Sequence, residues 1–368
     1  MIPATDVHHL LALAKLDSIG PITAKSLIGY CGSAAAVFET KAHRLLKIPG
    51  VGEAGARAIA NADPQQLMQP DWDWIQKQDV RIITYLDADY PQRLKQIPES
   101  PIILFYRGSA NLNARRAIAL VGTRKPSPYG VAMAQRILEE LQQYRPLVIS
   151  GLAFGIDATA HRMALDLGLP TLGVLGHGLD IIYPAVHRKL ARTMEQNGGG
   201  LLTEFPIQSR IDKEHFPMRN RIIAAMSEAV VVIESKERGG SIITAEFANA
   251  YHREVFALPG RTSDPLSQGC NALIKRHKAA LIESGQDIAF QLGWTEEESG
   301  PSRQMNLFLA LEPDEEAIYQ ILRTHPQADI DQLAYLSGMG SSTLATVMLH
   351  LEFKGIVKSA PGKRFILV

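Results

Sequence analysis

From residue 117 to about residue 290 the chain repeats one unit. A short aliphatic run is followed by a turn rich in glycine and hydroxyl side chains, then by an amphipathic stretch. The runs are AIALVGT (117–123), PLVISGL (146–152), TLGVLGH (171–177), GLLTEF (200–205), AVVVIES (229–235) and EVFALPG (254–260). Helical spacing appears between them, as in YGVAMAQRILEELQQY (129–144) and GIDATAHRMALDLG (155–168). A strand that is apolar throughout has to be covered on both faces, and strands joined through helices return parallel. The pattern predicts an α/β chain with a doubly wound, Rossmann-like parallel sheet. It also says where a ligand goes: beyond the carboxyl ends of the strands, where each run turns into its helix.

At 368 residues the chain is too long for one such core, and its flanks read differently. Residues 1–62 read as short helices around glycine turns. IPGVGEAGARAIA (48–60) suits a helix-hairpin-helix, in which a tight Gly-x-Gly turn aims N–H groups at a phosphate, and DSIGPITAKSLIGYCGS (17–33) reads as a degenerate first copy. Two copies would bury each other's apolar faces. Lys25, Lys47 and Arg57 give the module only a modest basic surface, so both DNA contact and plain packing remain open for it. Residues 63–115, with strand-like RIITYLD and IILFYRG, read as an extension into a main domain spanning 63–291. A linker is expected over 292–312. Three helices and a strand pair around Pro361-Gly362 make 313–368 a winged helix.

The composition is that of a folded, water-soluble chain, with 46% hydrophobic and 21% charged residues. No apolar stretch is long enough to span a bilayer and MIPATDVHHL is not a secretory leader, so a cytoplasmic location without membrane partners is expected. Cys31 and Cys270 lack metal-type spacing and read as free thiols. With 38 basic and 38 acidic residues, any basic footprint has to be local.

Chemistry concentrates at the strand-to-helix junctions. VGTRKPSPYG offers Gly122, Thr123 and Arg124; SGLAFGIDATAH offers Ser150, Gly151 and Gly155; ERGGSIITAE offers Gly239, Gly240, Ser241 and Thr244. Glycines and small hydroxyls at helix N-termini suit an anion, because free N–H groups and the positive end of the dipole face it. Several such loops on one sheet edge point to a phosphate-bearing ligand. A dinucleotide is disfavoured, since the first loop reads G-T-R-K-P-S, and GPITAKS (20–26) is not a Walker A motif. DKEHFPMRNRIIAAMS (212–227) turns the choice toward nucleic acid. It sets Lys213, His215, Arg219 and Arg221 around Phe216, with Asn220 between the two arginines, just before a helix, and suits phosphates that pair with cations while a base stacks on the ring. Asp157 and His161, with His177, Asp180 and His187, admit an acid/base or metal reading. Helix capping and hydrogen-bonded pocket walls explain them more simply. No cofactor, metal or catalytic residue is expected.

VGTRKPSPYG, SGLAFGIDATAH, GHGLDIIYPAVH, TEFP, FPMRNRIIAAMS, ERGGSIITAEFA and ALPG, in this order, resemble the DprA/Smf family of DNA-processing proteins. The resemblance implies an extended Rossmann-like domain that binds single-stranded DNA, dimerises and loads RecA during natural transformation. It would assign Arg124, Lys213 and Phe216 to phosphates and a stacked base, with the loops at Gly122, Ser150 and 239–241 completing the pocket. The loop at 239–246 also resembles the G-G-x-G-T-x-x-E of nucleotide-hydrolysing LOG-type enzymes, but Ile242 stands where the third glycine belongs. In the winged helix, Ser341, Ser342, Thr343, Thr346 and His350 are expected on the exposed face of the last helix. That set is poor in the Arg, Lys, Asn and Gln of major-groove readers.

Overall fold

The computed structural model describes residues 4–209, 211–294, 311–325, 328–354, 356–360 and 364–367. They fall into two compact units, one up to residue 297 and one from residue 298 on. The expected linker and the Pro361-Gly362 turn lie largely outside the described residues.

The first unit is built on a nine-stranded sheet: β1 (Arg81–Thr84), β2 (Ile103–Gly108), β3 (Ala117–Val121), β4 (Leu147–Ser150), β5 (Thr171–Val174), β6 (Gly200–Thr203), β7 (Ala229–Val232), β8 (Glu254–Ala257) and β9 (Ala280–Leu281), in the order β1-β2-β6-β5-β4-β3-β7-β8-β9. The repeat begins in the middle, at β3. It winds outward through β4, β5 and β6, then crosses back to β7 on the other side of β3 and continues to β9. All pairings among β3 to β9 are parallel. The doubly wound sheet read from the alternating runs is therefore present.

One stretch differs from expectation. RIITYLD and IILFYRG do not lead up to the sheet but extend it. β1 pairs antiparallel with β2, and β2 antiparallel with β6, Tyr106 opposite Leu202. A long covering helix is needed only to bring a strand back parallel, so the short connection between β1 and β2 suffices for an antiparallel edge.

Helices coat both faces, which is why the strands carry no polar alternation. On one face Ala119, Val121, Ile149 and Val232 meet α11 (His215–Met226), α12 (Gly240–Ala250) and α13 (Gln268–Lys275), with α7 (Gln92–Lys95) at the edge. On the other, Ile118, Leu120, Val148 and Val231 meet α8 (Pro128–Leu141), α9 (Ile156–Asp166) and α14 (Gly285–Gln291). The remaining part of that second face, from β2 to β6, is covered by α10 (Arg188–Gln196) and by six N-terminal helices: α1 (Ala4–Ala14), α2 (Pro21–Cys31), α3 (Ala34–Glu39), α4 (Ala42–Leu45), α5 (Glu53–Asn61) and α6 (Pro64–Lys77).

The two helix-hairpin-helix copies do bury one another, Ile19, Leu27 and Ile28 sharing a core with Ile48, Val51 and Ile59. Gly50 makes its turn at φ +84°, a conformation that glycine adopts without strain. The same core runs on into Ile103, Phe105, Leu175, Leu179 and Leu201 of the sheet side. Buried Asp71 on α6 fastens the join by accepting from Ile207 N at 2.8 Å while holding Lys15. Lys25 turns inward, donating to Ser100 Oγ and Pro98 O, and Arg57 pairs with Glu53. Of the three cations noted in this module, only Lys47 is exposed without an ion-pair partner among the described residues.

The second unit is the expected winged helix: α15 (Pro313–Thr324), α16 (Ile330–Ser337) and α17 (Ser341–Phe353) around Ile318, Leu322, Leu333, Leu344 and Leu351, with β10 (Val357–Ala360) antiparallel to β11 (Arg364–Leu367). Ser342, Thr343, Thr346 and His350 are exposed on α17.

Because module and sheet share one core, a chain starting at residue 78 is expected to expose Ile103, Phe105 and Leu201 and to aggregate. A chain ending at residue 294 should keep a single cooperative melt. Size-exclusion chromatography and thermal unfolding check both.

Candidate nucleic-acid interface

The site forms where the winding direction reverses. β3 is flanked by β4 on one side and β7 on the other, so the chain leaves the carboxyl ends of these neighbours in diverging directions and a crevice opens above them. The loop after β3 is clamped from both sides. Thr123 N donates to Glu234 O at 2.7 Å, and Ile156 N donates to Thr123 O at 3.2 Å. Glu234 also accepts from Ser127 N at 2.9 Å and Ser127 Oγ at 2.5 Å, which fixes the cap of α8. Gly155 lies so near the loop that a Cβ there would sit 2.2 Å from Thr123 O, and its φ is +79°.

The crevice is a cavity of about 670 Å³. Of the residues singled out by sequence, Gly122, Thr123, Arg124, Lys213, Phe216, Arg219, Asn220, Gly239, Gly240, Ser241 and Thr244 line it together. Ser150, Gly151, Gly155 and Arg221 do not, and their places show why. Ser150 is buried beneath the floor, its Oγ donating to Leu120 O at 2.6 Å. Gly151 makes room for Arg219, whose Nη1 would lie 2.2 Å from a Cβ at that position. Gly155 shapes the clamp. Arg221 faces away, ion-paired with buried Glu204.

Arg219 is a wall rather than a free arm. Its Nη1 donates to Gly151 O at 2.5 Å and to Val174 O, tying two strand ends together, while Nε stays buried and unpartnered. Burial lowers its pKa to about 10, with Asp157 opposing and Arg124 adding to the drop, so it is cationic at neutral pH. Asp157, at the start of α9, accepts from Gly151 N at 3.1 Å and Ala153 N at 3.4 Å. Burial pushes this carboxyl up, and Arg219 and those amides pull it down.

Sequence reasoning missed Lys236, Arg238 and Tyr183 in the lining. The two cations stand in the SKERGG turn, masked there by Glu237, which points instead to Arg276 at 3.8 Å. The cavity is therefore lined by five cations, Arg124, Lys213, Arg219, Lys236 and Arg238, against the single carboxylate of Asp157. Among the described residues, Arg124, Lys213, Lys236 and Arg238 have no ion-pair partner, although the whole chain is formally neutral. α12 opens on Gly239 without a side-chain cap, which leaves its first-turn N–H groups facing the same space.

Phe216 sits in this basic field, with the Arg124 guanidinium 5.8 Å from its ring centre and Tyr183 6.2 Å from it. It is not ahead of the helix, as the sequence suggests, but in the first turn of α11. Pro217 is tolerated there because first-turn N–H groups lack helical partners anyway. The arrangement offers cations and N–H donors for phosphates and a ring for a base.

Residues 81–293, more than half the chain, match the family described as DNA recombination-mediator protein A. The chain belongs to that family. Its flanks match too, residues 10–62 a SAM-like helix-hairpin-helix tandem and 309–363 the DprA winged helix domain. Protein Smf of Synechocystis is 28% identical, the match covering 97% of this chain and 98% of that protein. The X-ray structure of DprA from Streptococcus pneumoniae aligns with a TM-score of 0.66 at 32% identity, over 79% of this chain and 99% of that one. DprA of Helicobacter pylori, whose structure is described for its single-stranded DNA binding mode, aligns with a TM-score of 0.53 at 28% identity, over 58% of this chain and 95% of that one.

In this DNA recombination-mediator fold the histidines that admitted a catalytic reading, His161, His177 and His187, are buried, hydrogen-bonded and outside the cavity lining. His161 Nδ1 meets Thr171 Oγ1 at 2.7 Å, and since that hydroxyl donates to Val148 O, the imidazole is the donor. His177 bridges Gly178 O and Tyr183 N, and His187 donates to Leu152 O at 2.9 Å. Among the described residues no group of three or more His, Cys, Asp or Glu is arranged to hold a metal.

Burial, helped by nearby His187 and Arg219, drives the His161 pKa down to about 3. In the unfolded chain the imidazole takes a proton below about pH 6.5. The unfolded state then binds more protons, so this residue's share of stability is complete above about pH 6.5 and declines toward pH 3. His161→Asn keeps a donor for Thr171 and removes the titration. Its melting temperature should lie below that of the parent at pH 7.5, with the gap narrowing at pH 4.5.

Proposed function

We propose that this chain binds single-stranded DNA in the cavity above β3 and β7, without cutting it. In this reading it acts as a cytoplasmic homodimer that protects the strand and delivers it to RecA in DNA processing and natural transformation. The observation that carries the proposal is the lining itself: five cations against one carboxylate around a partly exposed phenylalanine. Phosphates pair with the cations and the uncapped start of α12, and a base stacks on Phe216, which duplex DNA cannot offer without unstacking. The recombination-mediator family and the strand-binding relative from Helicobacter pylori support delivery to a recombinase.

The reading as a nucleotide hydrolase loses its acid. Glu246, the final residue of the loop that resembles such enzymes, is on the solvent side of α12, 3.7 Å from Lys278 and outside the lining. Glu246→Ala should leave strand binding unchanged, and the protein should release no base or phosphate from nucleoside monophosphates.

Binding isotherms for single- and double-stranded oligonucleotides across a salt series test the proposal. A marked preference for the single strand is expected; equal affinities at matched salt would sink it. Arg124→Ala and Lys213→Ala should each weaken binding and flatten the salt dependence by about 0.7 of a unit in log–log slope. Phe216→Ala should cost ~1–3 kcal/mol of affinity with the slope nearly unchanged. The ring is only partly buried, so its loss should spare most of the folding stability that a core phenylalanine supplies.

A further inference from the structure

The loop between β4 and α9 holds one large aromatic out into solvent. Leu152 and Ile156 are fully buried on either side, yet Phe154 is 48% exposed. The backbone is bent to achieve this, with Leu152 at φ +54° and Gly155 at φ +79°. A positive φ is rare for a bulky non-glycine residue and marks a conformation the surroundings impose. Here they do so through His187, whose Nδ1 donates to Leu152 O at 2.9 Å and whose ring stands against Phe154 at 5.3 Å in an edge contact. Phe154 is thus a fixed, exposed ring next to Ala153, a residue of the cavity wall.

What lies beyond the ring is positive. His187 leads directly into α10, whose exposed side carries Arg188, Lys189 and Arg192, and α9 adds exposed Arg162 beside it. Among the described residues none of these four has an ion-pair partner, whereas Glu195 on the same helix is turned to Arg107. Exposed Tyr183, on the segment that leads to His187, lines the cavity and stands near Phe216. Exposed rings and unpaired cations therefore continue from the cavity mouth over Phe154 to α10.

We propose that Phe154 is a second stacking platform, and that a DNA strand leaving the cavity lays a further base on it and its following phosphates along Arg188, Lys189 and Arg192. This rests on the strand-binding reading above. A rigid exposed ring flanked by unpaired cations fits single strands, because each base has a face to stack and each nucleotide brings one phosphate.

The test compares oligothymidylates of about 6 and about 20 nucleotides on the full chain, lengths that bracket a short pocket and a longer track. The longer strand should bind more tightly. Phe154→Ala should weaken the longer strand by roughly tenfold, leave the shorter one unchanged, and be rescued by Phe154→Trp. Arg188→Gln combined with Arg192→Gln should lower the salt slope for the longer strand alone by about 1.4 units. Thermal melting controls for folding, and the arginine pair, being exposed, carries the test should Phe154→Ala unfold the loop. The platform is overturned if the longer strand gains nothing, if Phe154→Ala and the arginine pair leave it unaffected, or if the arginine pair weakens only a duplex. Failure of the cavity reading looks different: Arg124→Ala would then leave even the shorter strand bound.

Discussion

Everything at the site depends on how the loop after β3 is held. Two backbone hydrogen bonds, Thr123 N to Glu234 O and Ile156 N to Thr123 O, join three strand ends that are far apart in sequence. Buried Glu234 anchors the cap of α8 from the same spot. Without this clamp Arg124 would be a long side chain on a glycine turn. With it, the backbone that carries Arg124 is fixed at the cavity edge, and the guanidinium stands 5.8 Å from the centre of the Phe216 ring.

The positive field at the site follows from the same economy. A chain with equal numbers of acidic and basic residues concentrates cations by pairing carboxylates elsewhere: Glu195 with Arg107, Glu204 with Arg221, Glu237 with Arg276. Arg219 adds a buried charge that its surroundings hold fixed, bonded to Gly151 O and Val174 O. A cation that cannot swing away needs no reorganisation to meet an incoming phosphate, and a low-dielectric wall strengthens its reach.

The sequence made the sheet legible because strands buried on both faces carry a signal that few other structures produce. The glycine loops were legible for a related reason, since close approach, as at Gly151 and Gly155, admits nothing larger. What escaped were relations that no local pattern encodes. β1 and β2 look like any short apolar runs, and only the pairing of β2 with β6, and of β1 with β2, makes them part of the sheet. α6 lies within the stretch read as an extension of the main domain, yet it is a helix with Pro70 inside it that packs along α1. Arg219 and Arg221, two residues apart in one basic segment, part company in space: one becomes the cavity wall, the other a partner for Glu204. Residue type predicted a charged cluster, but burial decided what each charge does.

The shared core of helical module and sheet also sets an order of events during synthesis. The six N-terminal helices leave the ribosome first, but Leu175, Leu179 and Leu201, against which they pack, come a hundred or more residues later. At about 5–20 residues per second the gap lasts on the order of ten seconds, during which the module's apolar side can lie against Ile103 and Phe105 but not yet against Leu175, Leu179 and Leu201. Contacts so distant in sequence also close late in folding. The nascent chain is therefore a natural client for chaperones that shield apolar helices, and its yield in a cell should depend on their supply.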